Sequence, residues 1–495
     1  MAVTIGPILW SHPLYQDLTM TFVRPRMVAL AAAMALSLAA LKGAQAQDST
    51  ASIHYKGVTL TPVGFVAAEG VWRQRNITAD IGSSFTAIPF SGTSAGNMTE
   101  THLTGRQSRF GMLATGSSGD TKFSGFFESD FLGVGTSSNA NESNSYVLRV
   151  RQFWGSVAAG NGWTFGAGQS WSLLTTNKTG MAYRSEAIPL TIDAQYSVGF
   201  NWARQAGFRL TNKMSDVATF GIAIEESQST FSGRNLPTDF IIGQAGGSTL
   251  NATNNYSTDY SPDLIVKLAF DPKDMGHWEL KGLASSFRDR VFDPTNVSGG
   301  TRNATNYGFG LGFGVYIPLM ADGRDVMDFG LSGLWGQGIG RYGSSQLPDA
   351  TVTNTGTLTP ITAGMALLSL ETHPTKNFDL YGYIGAEFAG RSDFVNAAGK
   401  GVGYGSALNS NAGCQTEAAP TSDFAPAAGT CNADTRALWQ ANLGFWYRFY
   451  KGAAGTVQWG MHYSYTSRNT WSDAAGNQPQ AIDNMLFTSF RYVLP

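Results

Sequence analysis

The sequence predicts an all-β fold, a transmembrane antiparallel β-barrel of about sixteen strands, and three observations support it. Charged residues make up 14% of the 495 residues and aromatic residues 12%, whereas soluble domains carry about 25% charged residues. Beyond the N-terminus, no run of about 18 to 20 apolar residues is present, which argues against helical spans. From residue 57 onward, short alternating segments are separated by stretches rich in Gly, Asn, Ser and Asp. Such alternation is how a barrel distributes its apolar residues.

The alternation has the period of two that is typical of strands. In one segment Leu264, Val266, Leu268 and Phe270 alternate with Asp263, Ile265, Lys267 and Ala269. Soluble β-sandwiches alternate too, but many segments here run about 10 to 14 residues, longer than soluble strands and close to a tilted membrane span. Aromatic residues also lie near segment ends, as interfacial girdles require. The pattern therefore favours a membrane barrel over a sandwich.

Sixteen candidate strands follow from this pattern, with fourteen or eighteen left open. They are predicted at 57–71, 104–114, 121–131, 146–159, 163–172, 198–211, 217–226, 261–271, 277–288, 307–317, 326–337, 359–371, 377–390, 436–450, 456–467 and 483–494. Their connections alternate between short and long, which predicts short periplasmic turns and long extracellular loops. Sixteen strands leave an aqueous channel, whereas eight would fill the interior with side chains. The size therefore favours transport.

The N-terminus predicts a leader and a cleaved secretory signal peptide over residues 1–46. Arg24 and Arg26 precede an apolar run from Met27 to Leu41, and Ala44-Gln45-Ala46 places small residues at the cleavage positions. An uncleaved membrane anchor is the alternative, for which the run is short. Export through the periplasm to the outer membrane of a Gram-negative bacterium is the expected localisation.

The expected domain boundaries follow from that cleavage. Residues 47–56 are predicted to be a short periplasmic N-terminal segment, and residues 57–495 the barrel with its outer loops. Met20 lies at the usual distance before such a signal, so a misplaced start codon is an open explanation for residues 1–19.

The polar faces of the early strands carry a set of charged residues. The set comprises Arg106, Arg109, Arg149, Arg151, Glu128 and Asp130. A guanidinium facing lipid at the bilayer midplane would cost about 2 to 4 kcal/mol, so the arginines are predicted to line the lumen and attract anions. Alternatively, the two carboxylates on the neighbouring strand pair with the arginines and brace the wall. Bracing, ion selectivity and a combination of both remain open.

Other residues give weaker signals. Cys414 and Cys431 are expected to form a disulfide within an outer loop, because the chain is predicted to be exported. Gly92-Thr93-Ser94-Ala95-Gly96 fits G-x-S-x-G but lacks the strand-turn-helix context of a nucleophile elbow. His462 and Ser464 share a polar strand face, an arrangement that an outer-membrane hydrolase could use, or one that simply faces the lumen. No metal-ligand motif is present.

Several segments resemble the DcaP-like outer-membrane porins. The resemblance is strongest over residues 104–210, where it rests on Gly105–Gly111, Glu128–Phe131, Leu148–Gln152, Gly168–Ser172, Ile192-Asp193 and Ala203–Gln205. It implies a sixteen-stranded homotrimer that takes up small anions, with Arg106, Arg109, Arg149 and Arg151 lining the pore. The helical N-terminal segment of better-known members has no counterpart before the first strand, and the chain ends Arg491-Tyr492-Val493-Leu494-Pro495 instead of on an aromatic residue.

The third long connection, residues 173–197, occupies the place of the loop that folds inward in many trimeric porins. Its charged residues are therefore candidates for a constriction: Lys178, Arg184, Glu186 and Asp193. Acids on this loop that face the arginines would create a transverse field. An ordinary surface loop is the alternative.

The expected function is passive diffusion of small hydrophilic solutes, with anions preferred, through a water-filled channel without catalysis or cofactor. Expected partners are outer-membrane lipid and lipopolysaccharide, small solutes, further copies in a homotrimer, and the barrel assembly machinery. Nucleic acid is not expected, because the net charge is −2 and no basic tract is present. Two alternatives belong to other classes: a phospholipase-like enzyme with Ser464 or Ser94 as nucleophile, and a surface adhesin whose loops act on a barrel anchor.

Overall fold

The computed structural model describes residues 52–134, 146–238, 240–241, 260–292, 300–321, 324–417, 419 and 431–495. The chain divides into two units, Met1–Gln45 and Ala46–Pro495. All of the first unit, and with it the predicted signal peptide, lies outside the described residues. The second unit is a β-barrel.

The strands of the described chain follow one another with few helical turns between them. They are β1 (Ile53–Tyr55), β2 (Val58–Arg73), β3 (Glu100–Thr104), β4 (Arg109–Ser118), β5 (Thr121–Gly133), β6 (Val147–Ala158), β7 (Trp163–Trp171), β8 (Arg204–Lys213), β9 (Ala218–Glu225), β10 (Phe240–Ile241), β11 (Asp263–Phe270), β12 (His277–Phe292), β13 (Thr301–Ala321), β14 (Arg324–Gln337), β15 (Ala350–Val352), β16 (Leu358–Pro360), β17 (Thr362–Thr375), β18 (Phe378–Ala389), β19 (Ser392–Val395), β20 (Gly401–Tyr404), β21 (Thr435–Gly452), β22 (Gly455–Thr470) and β23 (Gln480–Val493). Short 3-10 turns lie at Phe85–Ala87, Ala95–Asn97, Gly340–Tyr342 and Ala412–Gln415. Among the described residues, no helix has the length and apolar character needed to cross a bilayer.

Sixteen strand positions form one closed antiparallel barrel. β3 and β4 share one position, since both pair with β2. The barrel closes where β2 also pairs with β23, Phe65 lying opposite Val493. β1 folds back on β2 and β10 adds to β12, while the hairpins β15–β16 and β19–β20 lie within long connections.

The alternation in the sequence matches the two faces of the barrel wall. On β11, Leu264 and Phe270 are exposed on the outside, whereas Asp263 and Lys267 are fully buried on the inside. The outer face is therefore apolar and the inner face polar, which is the arrangement of a barrel that meets lipid outside and water or protein inside.

The two ends of the barrel differ in their connections. One end, called here the short-turn end, carries tight turns such as 119–120, 376–377 and 453–454 together with the first and last strand termini. The other, the long-loop end, carries the connections 74–99, 134–146, 172–203, 226–262, 293–300, 338–361, 390–434 and 471–479. The predicted alternation of short and long connections is confirmed.

All sixteen predicted strands are present, and the differences lie at their ends. The predicted strand 104–114 is interrupted, because Gly105–Ser108 form a turn in which Ser108 N donates to Gly105 O. The predicted strand 198–211 begins only at Arg204. Val198 N and Gly199 N instead donate to the inner side chains of Gln440 (3.0 Å) and Glu387 (2.8 Å).

The connection 172–203, called here the inward segment, crosses the interior of the barrel. Its backbone is bound by inner side chains from several parts of the barrel wall: Lys267 on β11, Glu279 on β12, Tyr383 and Glu387 on β18, Gln440 on β21 and His462 on β22. Backbone groups outside regular structure need such partners when they are buried. The polar inner faces of these strands therefore serve to hold the segment in place.

An outer loop carries the two cysteines. Cys414 and Cys431 are joined in a disulfide that closes a loop with a sequence separation of 17 residues. Cys414 is fully buried, so this bond closes a loop within the second-last long connection, 390–434, and lies below its surface.

Candidate functional site

Four arginines meet inside the barrel, and we call them the arginine wall: Arg109 on β4, Arg149 and Arg151 on β6, and Arg204 at the start of β8. On β6, Leu148 and Val150 point outward and are exposed, so the alternation places Arg149 and Arg151 on the inner face. The sequence-based expectation that these arginines face the interior therefore agrees with the geometry.

Glu128 and Asp130 on β5 hold the arginines of β6. Asp130 accepts hydrogen bonds from Arg149 Nε (2.9 Å) and Nη2 (2.7 Å), and from Arg151 Nη1 (3.0 Å). Glu128 accepts from Arg151 Nε at 2.8 Å and lies 3.6 Å from Arg109 Nη1. Such bidentate pairs fix the guanidinium planes, so the bracing contacts considered from the sequence are present.

Arg106, the remaining predicted arginine, has a different setting. Its guanidinium pairs with Asp80 of the first long connection (2.9 Å) and donates to the backbone oxygens of Phe131 (3.0 Å) and Gly133 (2.7 Å). It therefore joins the first long connection to the end of β5 and is not part of the arginine wall.

Arg204 was not among the predicted site residues. Its guanidinium stacks on Trp171 (4.6 Å) and Trp202 (5.2 Å), and within the described chain it forms no ion pair. Four guanidinium groups thus share two carboxylates, which leaves an excess of positive charge. In the sequence, Arg204 and Arg209 lie in opposite strand phases, and that mismatch was the available signal that one of them has a special position.

The inward segment brings Tyr196 onto the arginine wall. Its hydroxyl accepts a hydrogen bond from Arg151 Nη2 at 3.0 Å. Burial of the phenol raises its pKa, but the positive charges of Arg151, Arg109 and Arg204 outweigh burial and lower the pKa of Tyr196 to about 8. The direction of this shift reports a positive potential at the wall.

The four candidate constriction residues separate into two pairs. Lys178 and Arg184 are exposed, whereas Glu186 and Asp193 are buried. Asp193 Oδ1 accepts from the backbone nitrogens of Ser83 (3.0 Å) and Gln195 (2.8 Å), and burial raises the pKa of Asp193 and of Glu186. The segment's accessible charges are therefore its two cations, and its acids bind or pack within the protein.

Across the barrel from the arginines lies a group that we call the acidic wall: Asp325 and Asp328 on β14, Glu371 on β17 and Asp379 on β18. His373 lies between them, with Nε2 3.4 Å from Asp328 and Nδ1 2.9 Å from Asp379. Lys178 Nζ of the inward segment is 4.0 Å from Asp328. Ligand atoms of Asp325, Asp328 and His373 all lie within 4.8 Å of one another. The sequence did not indicate this arrangement, because His373 is on β17 and the two aspartates are on β14.

Of the residues considered for catalysis, His462 and Ser464 are buried on the inner face of β22 and Ser94 lies next to a turn. His462 is buried, and its Nδ1 accepts a hydrogen bond from Ile192 N of the inward segment at 3.2 Å. Ser94 precedes the 3-10 turn Ala95–Asn97, which is not the strand-turn-helix setting of a nucleophile elbow.

The chain is similar in fold to the outer-membrane channel DcaP of Acinetobacter baumannii, with a TM-score of 0.60 and 16% identity over 89% of this chain and 100% of that one. Weaker likenesses include the anion-selective porin of Comamonas acidovorans (TM-score 0.45, 11% identity, 88% and 100% covered) and OprB of Pseudomonas putida (0.43, 11%, 87% and 94%). No protein-family model matches the chain, and neither does any curated protein. The first likeness confirms the resemblance to DcaP-like porins at the level of the fold.

Proposed function

We propose that this protein is an outer-membrane porin through which small hydrophilic solutes diffuse passively, with anions preferred. The observation that carries this proposal is the arginine wall inside a closed sixteen-stranded barrel, where four guanidinium groups share two carboxylates. A cationic cluster in a confined lumen attracts anions and repels cations.

Solvent access along the wall supports a constriction at this level. The side chain of Arg149 is 31% exposed, whereas that of Arg151, two residues further into the barrel, is 3% exposed. A solute entering from the long-loop end would meet Arg149 first and then the narrower region where Tyr196 of the inward segment faces Arg151.

The opposite wall gives the lumen a second charged surface. Asp328 and Glu371 are buried on the inner faces of β14 and β17, roughly half the strand circuit away from β5 and β6. Opposed charges of this kind create a transverse field, which orients dipolar solutes. In this proposal the negative side of the field is formed by Asp328 and Glu371 of the barrel strands. The sequence had suggested Glu186 and Asp193 of the inward segment for this role.

The proposal includes location and assembly. The apolar outer face and the short and long connections fit insertion in the outer membrane of a Gram-negative bacterium after export. A homotrimer, contacts with outer-membrane lipid and lipopolysaccharide, and insertion by the barrel assembly machinery accompany this function. Catalysis and cofactors play no part in it.

The test is single-channel conductance of the refolded protein in a planar bilayer, with a salt gradient that reads ion selectivity. Arg204→Gln is the informative variant, because Arg204 has no carboxylate partner that its removal would leave buried and unpaired. The reversal potential is expected to show anion preference for the wild type and a weaker preference for Arg204→Gln. The double variant Arg149→Ala/Arg151→Ala should weaken it further.

An exposed arginine away from the lumen constriction supplies the control. Arg302 lies at the long-loop end of β13 and is exposed, so Arg302→Gln should leave the reversal potential unchanged. Absence of conductance from a folded barrel would reject the porin function, and cation preference of the wild type would reject the role of the arginine wall.

A further inference from the structure

A pair of arginines lies on the outer rim of the barrel, outside the lumen. The ring of Trp471 is contacted by the guanidinium of Arg391 at 4.9 Å and by that of Arg436 at 5.1 Å. Arg391 Nη2 also donates to Ser472 O at 2.8 Å, which fixes one guanidinium. Both arginines are exposed, and within the described residues neither forms an ion pair.

A local irregularity of the sheet accounts for the position of Arg436. The pairing of β21 with β22 shifts register between Thr435 and Ala437, so Arg436 is the additional residue of a bulge. A bulged residue leaves the ladder and re-aims its side chain. Here it places a second cation beside Trp471 at the long-loop end.

A polar recess of 410 Å³ is lined by one arginine of this pair, Arg391. Its lining includes Asn306, Tyr307, Gln337, Thr362, Arg391 and Ser392. These side chains offer amide and hydroxyl donors next to a guanidinium, and the residues all lie near the ends of strands that lead into long connections. The recess therefore suits a compact polar group that carries negative charge.

An apolar surface continues from the rim toward the middle of the barrel. Phe388 contacts Trp471 edge-on at 6.1 Å and stacks on Trp335 at 6.0 Å. Trp335, Ile384 and Trp439 are among the exposed apolar side chains of this face. Aromatic residues at the level of lipid headgroups, followed by aliphatic residues, form the surface that acyl chains contact.

We propose that Arg391, Arg436 and the adjoining recess, together called the rim patch, bind the phosphorylated headgroup of a lipid in the outer leaflet. The lipid's acyl chains then lie along Trp335, Phe388 and Ile384. Charge complementarity favours this occupant, because unpaired guanidinium groups bind phosphate in planar, bidentate geometry. The surface changes from polar at the rim to apolar toward the middle of the barrel, which matches the order of groups in a lipid. A solute without acyl chains would contact only the polar part.

This inference rests on the proposed location in an outer membrane, and its test does not depend on channel activity. The detergent-solubilised full chain is titrated with diphosphoryl lipid A, and bound lipid is counted by native mass spectrometry. Wild-type protein is expected to retain the lipid, and Arg391→Gln/Arg436→Gln to bind it at least about tenfold more weakly, the loss expected for charge-assisted contacts. Phosphatidylcholine, which is zwitterionic, should bind equally weakly to both.

Arg324→Gln is the matched control, because Arg324 is an exposed arginine at the short-turn end of β14. It should bind diphosphoryl lipid A like the wild type, and the double variant should conduct like the wild type in a bilayer. Equal lipid A affinity of the double variant and the wild type would overturn the rim patch. A changed oligomeric state of the double variant, with lipid binding intact, would also overturn it and assign the surface to a second copy of the chain. If the wild type bound diphosphoryl lipid A but did not conduct ions, only the porin function would be contradicted.

Discussion

The arginine wall and the acidic wall face the same interior, but they are held in different ways. Asp130, fully buried, binds Arg149 and Arg151 of the adjacent strand through contacts of 2.7 to 3.0 Å. Asp328 has longer contacts, 3.4 Å to His373 and 4.0 Å to Lys178, and the Lys178 side chain is 41% exposed. The comparison indicates that Asp130 is held rigidly by its partners, whereas Asp328 has partners that can rearrange. The other acids of that wall are held more closely, Glu371 by the hydroxyl of Tyr383 at 2.6 Å and Asp379 by the guanidinium of Arg448.

The largest expected effect follows from neutralising one acid on each wall. Asp130→Asn removes the buried negative charge that binds the guanidinium groups of Arg149 and Arg151. Breaking a buried ion pair in this way lowers the free energy of unfolding by about 3 to 5 kcal/mol. Asp328→Asn removes contacts of 3.4 Å to His373 and 4.0 Å to Lys178, whose side chains are 24% and 41% exposed, so a smaller loss is expected. Both values are measured as free energies of unfolding in urea with the barrel in lipid vesicles.

Similar losses for these two variants would contradict the contrast between a rigidly held Asp130 and a loosely held Asp328. If Asp328→Asn were the more destabilising variant, Asp328 would be the more rigidly held acid. Circular dichroism of each variant before unfolding checks that the barrel has formed.

A second prediction concerns the inward segment, which lies between the walls. A Cβ on Gly385 of β18 would come 1.7 Å from Val198 O, whereas one on Gly382 of the same strand meets nothing nearer than 3.7 Å. Gly385→Ala must therefore push the segment away from β18 and toward the arginine wall. Single-channel conductance is expected to fall in Gly385→Ala and to stay unchanged in Gly382→Ala. Equal conductance in all three proteins would show that the segment does not set the width of the pathway.

The smallest effect is a change of selectivity with pH. The pKa of Tyr196 is lowered to about 8, so the phenol is mostly neutral near pH 7 and mostly ionised near pH 9. The phenolate would then cancel part of the excess positive charge, and anion preference should decline as the pH rises through this range. The reversal potential across a salt gradient measures it.

Tyr196→Phe isolates the origin of that decline. The variant keeps the ring but has no ionisable group, so its selectivity should be constant between about pH 7 and pH 9. A decline of equal size in Tyr196→Phe would place the titrating group elsewhere in the lumen.

The barrel could be predicted from the sequence because its signal is local. The period of two along β11 places Leu264 and Lys267 on opposite faces of the strand, and the same period recurs in each strand. The pairing of Asp130 with Arg149 was accessible for a similar reason, since hairpin strands lie side by side. Residues 198–203 were misassigned to a strand, because Val198 and Gly199 find their partners on Gln440 and Glu387, about 190 to 240 positions later.

The same distance in sequence hid much of the candidate site. Arg204 lies in the arginine wall beside Trp171 and Trp202. Its phase mismatch with Arg209 marked it as unusual, but the contact with Trp171, 33 positions earlier, could not be read from the sequence. The acidic wall joins Asp328, Glu371 and Asp379 from three strands, a grouping that depends on strand order and register. Both could be found only once the circuit of strands was known.

The anchoring of the inward segment also constrains the order in which the molecule can be built. The segment precedes β11, β12, β18, β21 and β22 in the chain, yet side chains of those strands bind its backbone. The sheet becomes a ring only when β23 meets β2, its last strand joining its first. The inward segment therefore has its full set of partners only after nearly the whole chain has been placed in the sheet. Contacts between such distant parts of a chain form slowly, so the segment is expected to reach its final position late in folding.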